Sequence, residues 1–109
     1  MVKVLKLNSI SPKVNDVFDK NYEITSECDS PDLILVRSAQ MADYALPESV
    51  LAIGRAGAGV NNIPHAEYAK RGVVVFNSPG ANANAVKELV ITALLLCCRK
   101  IIEGIEWVN

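Results

Sequence analysis

The chain has 109 residues, half of them hydrophobic, with 11 basic and 12 acidic side chains and a net charge of −1. That length makes one domain with enough apolar material for a core. The charges are balanced and scattered, so there is no electrostatic footprint for nucleic acid.

The start, Met1-Val2-Lys3-Val4-Leu5-Lys6-Leu7, alternates lysine with apolar residues. It reads as a first strand over 2–7 and lacks the apolar core of a signal peptide. Ser11-Pro12 is a helix-start signal, and Val14, Val17 and Phe18 fall at i, i+3, i+4, which predicts a short amphipathic helix over 12–20. Tyr22-Glu23-Ile24-Thr25 alternates and reads as a second strand near a sheet edge. After the Ser30-Pro31-Asp32 turn, Leu33-Ile34-Leu35-Val36 is apolar without a break. Such a run suits a strand buried on both faces of a parallel sheet.

Arg37 and Ser38 stand at that strand's end, where ligands of open α/β sheets bind. The planar fork of Arg37 suits a carboxylate or phosphate. A solvated loop arginine is the plainer alternative. Residues 42–48 form a short helix or an irregular crossover, and 51–55 is the fourth strand.

A loop with three glycines in six residues follows, Gly54-Arg55-Ala56-Gly57-Ala58-Gly59, running to Pro64. Glycine permits φ > 0 and lets other groups approach main-chain N–H groups closely. A glycine loop between a strand end and a helix can hold an anion; a tight strand-to-helix turn explains the same residues. A dinucleotide fingerprint does not. Counted from Gly57, its sixth position is Asn62, and the acidic residue due about 20 positions later is replaced by Phe76-Asn77-Ser78-Pro79.

Residues 64–71 read as a helix closed by Gly72, with basic residues in its last turn. Val73-Val74-Val75-Phe76 is the fifth strand. A polar loop over 77–84 then leads into one long helix over 86–108, apolar almost all round from Leu89 to Cys98 and therefore expected to be buried. The stretch between Glu88 and Arg99 is too short to span a bilayer. Cys28, Cys97 and Cys98 have no metal-ligand spacing, no metal is expected, and all three are read as reduced, buried thiols of a cytoplasmic protein. Strands separated by helices predict an α/β parallel sheet.

Four blocks recur together in order: Ile34-Leu35-Val36-Arg37-Ser38, Ile53 to Ile63, Gly72 to Asn82, and Glu88-Leu89 opening the apolar helix. Taken together they resemble the substrate-binding part of the D-isomer-specific 2-hydroxyacid dehydrogenases, and within that family the branch acting on 3-phosphoglycerate. The resemblance implies a flavodoxin-like lobe with helices on both faces. An NAD-binding Rossmann lobe would be inserted after the long crossover helix.

It also implies roles. Main-chain N–H groups around Gly57, Ala58 and Gly59 hold the substrate carboxylate. Arg37 and Ser38 contact its anionic parts, and Asn82 reaches the same cleft. Ala58 stands near the nicotinamide at a position often occupied by Thr, and Asn61 stands where Asp is common. The family's catalytic Arg, Glu and His lie in or after the Rossmann lobe, whereas the only histidine here, His65, does not match the catalytic one.

The expectation is therefore a substrate-binding lobe over 1–84 and a crossover helix over 85–109, inactive alone and without tight NAD binding. With that helix uncovered, self-association is expected. A stand-alone, non-catalytic module that binds a small carboxylate or a partner protein, and a lactate or glycerate/glyoxylate dehydrogenase, are the alternatives.

Overall fold

The computed structural model describes all 109 residues, which fall into two compact units, Met1–Pro79 and Gly80–Asn109. In the first unit, five strands form one parallel sheet: β1 (Val2–Lys6), β2 (Tyr22–Thr25), β3 (Leu33–Val36), β4 (Ala52–Arg55) and β5 (Val74–Phe76). Their order is β2-β1-β3-β4-β5, that of a flavodoxin-like sheet. The α/β class is as the sequence predicts, and the strand ends agree to within a residue.

Register places Leu5, Ile34, Ile53 and Val75 in one row on one face, and Leu35, Gly54 and Phe76 in a row on the other. The first face carries the core. Ile34, Val36 and Ile53 are wholly buried there with Met41, Leu46, Val50, Ile63, Tyr68 and Val73. The irregular segment around Met41–Val50 and helix α1 (His65–Lys70) supply the cover. Tyr68, on α1, donates its hydroxyl to the Met41 carbonyl at 3.2 Å and so pins the helix to that segment. Gly72, at φ 79°, turns the chain out of α1 and into β5.

The other face carries a cleft of about 290 Å³ lined by Ile10, Val14, Leu35, Gly54 and Phe76. Here the amphipathic helix expected over 12–20 is not formed. Only a 3-10 helix over Pro12–Asp16 is present, and Val17 is 80% exposed. Ser11 and Pro12 start it as predicted, but Asn15, Asp16 and Asp19 are weak helix formers and the apolar stripe is only three residues long.

The second unit holds α2 (Ala83–Cys98) and α3 (Ile101–Val108) where one helix was expected. Lys100 adopts the left-handed conformation, φ 49°, between them. The N–H groups of Arg99 and Lys100 close α2 on the carbonyls of Leu95 and Cys97. This closure belongs to glycine or asparagine in most helices, so a lysine there carries no signal in the sequence.

Burial of the helix is also corrected. Leu89, Val90, Leu94 and Leu95 are 54–70% exposed, and Cys97 and Cys98 are exposed free thiols. Cys28 is a half-buried free thiol. Two short helices enclose too little volume to surround their own apolar side chains. No helix is long and apolar enough to cross a membrane.

Candidate functional site

The carboxyl ends of β3, β4 and β5 meet at the glycine loop. Parallel strands all present their last carbonyls and first loop residues at the same edge, so three separate stretches of sequence converge there. Arg37 and Ser38 leave β3 with exposed side chains. Asn8, just after β1, holds both: its Oδ1 accepts the Arg37 N–H at 2.8 Å, while its Nδ2 donates to the Ser38 hydroxyl oxygen at 3.0 Å.

Arg55 ends β4 and turns its guanidinium back beneath the loop. Its Nε donates to the Arg37 carbonyl at 2.9 Å, and its Nη1 donates to the Gly59 carbonyl. Two glycines make room for that fork. A Cβ at Gly57 would lie 3.3 Å from Arg55 Cζ, and one at Gly59 would lie 3.2 Å from Nη1. Both have ordinary negative φ, since the positive-φ glycines are Gly72 and Gly80. Close approach of the Arg55 side chain, rather than left-handed backbone, is what favours glycine at these two positions.

The loop carbonyls are tied back one after another. Arg55 O accepts from Ser78 Oγ at 2.8 Å, and Gly57 O accepts from the Ser78 N–H at 3.0 Å. Ala58 O accepts from Asn77 Nδ2 at 2.8 Å, and Gly59 O from Arg55. The Gly57 N–H is engaged as well, donating to Ser78 Oγ at 3.0 Å. The N–H groups of Ala58, Gly59 and Val60 have no protein acceptor. The loop is thus electrically one-sided, with acceptors masked and donors free, and the exposed Arg37 stands at the same sheet edge. An arrangement of that kind favours an anion.

Asn62 sits below, 4% exposed. Its Nδ2 donates to Ala39 O at 2.9 Å and Arg37 O at 3.4 Å, and its Oδ1 is buried without a donor. Tyr68, under the same segment, has its hydroxyl pushed above its ordinary pKa by burial, with Arg71 opposing in part. Tyr44 is raised for the same reason, with Cys28 adding to it.

Five of the sequence-predicted site residues, Arg37, Ser38, Gly57, Ala58 and Gly59, gather at this edge. Of the three loop amides named, Gly57 is already spent on Ser78. Asn82 belongs to the second unit, where it precedes α2 at φ −109° without a side-chain capping bond. His65 is exposed on α1. Sequence reading missed Asn8, Arg55, Asn77 and Ser78 as builders of the site. The one available signal was a polar residue at, or within two positions of, the end of β1, β4 and β5, at the edge where parallel strands end.

Known proteins share these stretches. A family model described as D-isomer specific 2-hydroxyacid dehydrogenase, catalytic domain, matches residues 2–99. The D-3-phosphoglycerate dehydrogenase of Archaeoglobus fulgidus is 33% identical over 92% of this chain and 22% of its own length. The hydroxypyruvate reductase of Thermotoga maritima is 37% identical over 64% of this chain and 24% of its own length. The erythronate-4-phosphate dehydrogenase of Shewanella oneidensis is 39% identical over 59% of this chain and 18% of its own length. The chain spans about a fifth of the length of these curated relatives. With the family model covering nearly all of it, the chain belongs to the D-isomer-specific 2-hydroxyacid dehydrogenases.

Proposed function

We propose that this chain is the substrate-binding part of an NAD-dependent dehydrogenase that oxidises D-3-phosphoglycerate to 3-phosphohydroxypyruvate, the oxidation that feeds serine biosynthesis. One observation carries the reading: the loop over 57–60 masks its carbonyls and leaves the Ala58 and Gly59 N–H groups free beside Arg37. On this reading the amides take the substrate carboxylate, Arg37 and Ser38 take its other anionic part, and Asn82 is a further substrate contact. A ligand with two anionic ends gains from both sets of donors at once.

The loop does not fit a dinucleotide pyrophosphate. The position of the fingerprint's last glycine is held by Asn62, whose buried side chain is tied to the Arg37 and Ala39 carbonyls. NAD is therefore assigned to a domain outside these 109 residues, with Ala58 as its one expected neighbour in this chain. The general base is assigned there too, since the one histidine of these residues, His65, is exposed on α1 and lies outside the loop over 57–60. The chain alone is expected to bind substrate weakly, to turn none over, and to self-associate through α2 and α3.

The test is a titration of the isotope-labelled chain with D-3-phosphoglycerate, followed by NMR. Shifts at Arg37, Ala58, Gly59 and Asn82 support the reading. Shifts with hydroxypyruvate or erythronate 4-phosphate at lower concentration would move the substrate to those acids. No shift at any of these residues would sink it.

A further inference from the structure

The proposed anion site needs a glycine loop that keeps its donors forward when no ligand is present, and this inference rests on that reading. We propose that Asn77 and Ser78, at the end of β5, are positioning residues that aim the loop amides and decide which of them an anion meets.

The argument follows from the peptide plane. In a trans peptide the C=O of one residue and the N–H of the next point in opposite directions within one rigid unit. Holding a carbonyl therefore aims the following N–H the other way. The Ser78 N–H holds Gly57 O at 3.0 Å, which aims the Ala58 N–H. Asn77 Nδ2 holds Ala58 O at 2.8 Å, which aims the Gly59 N–H. Arg55 Nη1 holds Gly59 O, which aims the Val60 N–H. Three consecutive donors are set by three ties, two of them from adjacent residues of one strand end.

The Ser78 hydroxyl does a second job. It has one proton and two lone pairs. The proton goes to Arg55 O at 2.8 Å, and a lone pair takes the Gly57 N–H at 3.0 Å. Gly57 is thereby withdrawn from the ligand, and the row of free donors starts at Ala58. Neither Asn77 nor Ser78 needs to touch the substrate for this.

The experiment uses the full 109-residue chain, D-3-phosphoglycerate and amide-resolved NMR. Asn77→Ala should weaken binding about tenfold, the effect of one lost orienting hydrogen bond, whereas Ser78→Ala keeps the backbone tie to the Gly57 carbonyl and should add the Gly57 amide to those that shift with ligand. Ser78→Thr, which keeps the hydroxyl, should stay within about twofold. Without ligand, the Gly57 amide should exchange with solvent at least about tenfold faster in Ser78→Ala than in the wild type or Ser78→Thr. A merely structural role would not spare Ser78→Thr while moving the Gly57 amide alone. Should Ser78→Ala fail to fold, Asn77→Ala still decides, because Asn77 is exposed and its loss leaves only a loop carbonyl for water. Equal affinity in all variants overturns the positioning role and leaves the binding reading standing. A wild type that shows no loop shifts overturns both.

Discussion

Arg55 Nε donates to the Arg37 carbonyl at 2.9 Å, joining the ends of β4 and β3 across the candidate site. The guanidinium reaches this carbonyl and that of Gly59 with two different nitrogens, so one side chain sets both the strand end and the loop. Replacing Arg55 with Met should lower the unfolding free energy by about 1 kcal/mol, read by urea denaturation. Arg55→Lys should recover little of it, since a single ammonium cannot reproduce the planar fork.

Arg37 behaves in the opposite way. Its backbone is held by Asn8, Arg55 and Asn62, while its side chain is exposed. Arg37→Ala should leave the urea midpoint in place and weaken D-3-phosphoglycerate binding about tenfold, as loss of a charge-assisted contact does. A midpoint that drops while affinity holds would reverse the assignment.

Ile53 and Val17 test the two sides of the sheet. Ile53 is wholly buried in the core row and Val17 is 80% exposed beside the 3-10 helix. Ile53→Ala should cost about 2–5 kcal/mol, enough to unfold much of a domain this small. Val17→Ser should stay within about 0.5 kcal/mol. A costly Val17→Ser would mean that the amphipathic helix expected from the sequence does form in solution.

Tyr68 predicts an alkaline limit. Burial raises its pKa above the ordinary value of 10.0. The unfolded chain then releases the phenolic proton before the folded chain does. The stabilising contribution is fully present below about pH 10 and is lost as pH rises through the folded pKa. Tyr68→Phe should cost about 1 kcal/mol at pH 7 through the lost bond to Met41, and should flatten the loss of stability above pH 10 in thermal melts.

α2 leaves Leu89, Val90, Leu94 and Leu95 54–70% exposed and α3 leaves Ile101, Ile102 and Ile105 41–54% exposed, an apolar surface that favours burial against a second copy of the chain. Sedimentation equilibrium should show reversible association at tens of micromolar. Leu94→Glu, at a position 59% exposed, should shift the chain towards monomer. A monomer at every concentration would rule association out.

The five strands and their ends were legible because period and β-branching are local properties, and Leu33–Val36 needs no partner to declare itself. Arg37 and the glycine loop were legible as a position, the carboxyl edge of a parallel sheet. Their wiring was not. Asn77 reads as loop chemistry in the sequence and becomes a brace only when β5 lies beside β4. The exposure of α2 and the break at Lys100 were hidden for a different reason. Helical period says which face is apolar, but not what covers it, and a left-handed lysine leaves no compositional mark.

Amide donors have a property that side-chain cations such as lysine or histidine lack. A peptide N–H has no proton to lose or gain in the range where proteins fold. The polarity of the loop over 57–60 is consequently constant, neither dimmed by alkali nor strengthened by acid. Such a loop can be turned on and off only by movement, that is, by releasing a carbonyl from Asn77, Ser78 or Arg55 and letting its peptide plane rotate. While the chain stays folded, a pH response in anion capture would have to originate in the ligand, and the phosphate of the proposed substrate gains a proton near pH 6.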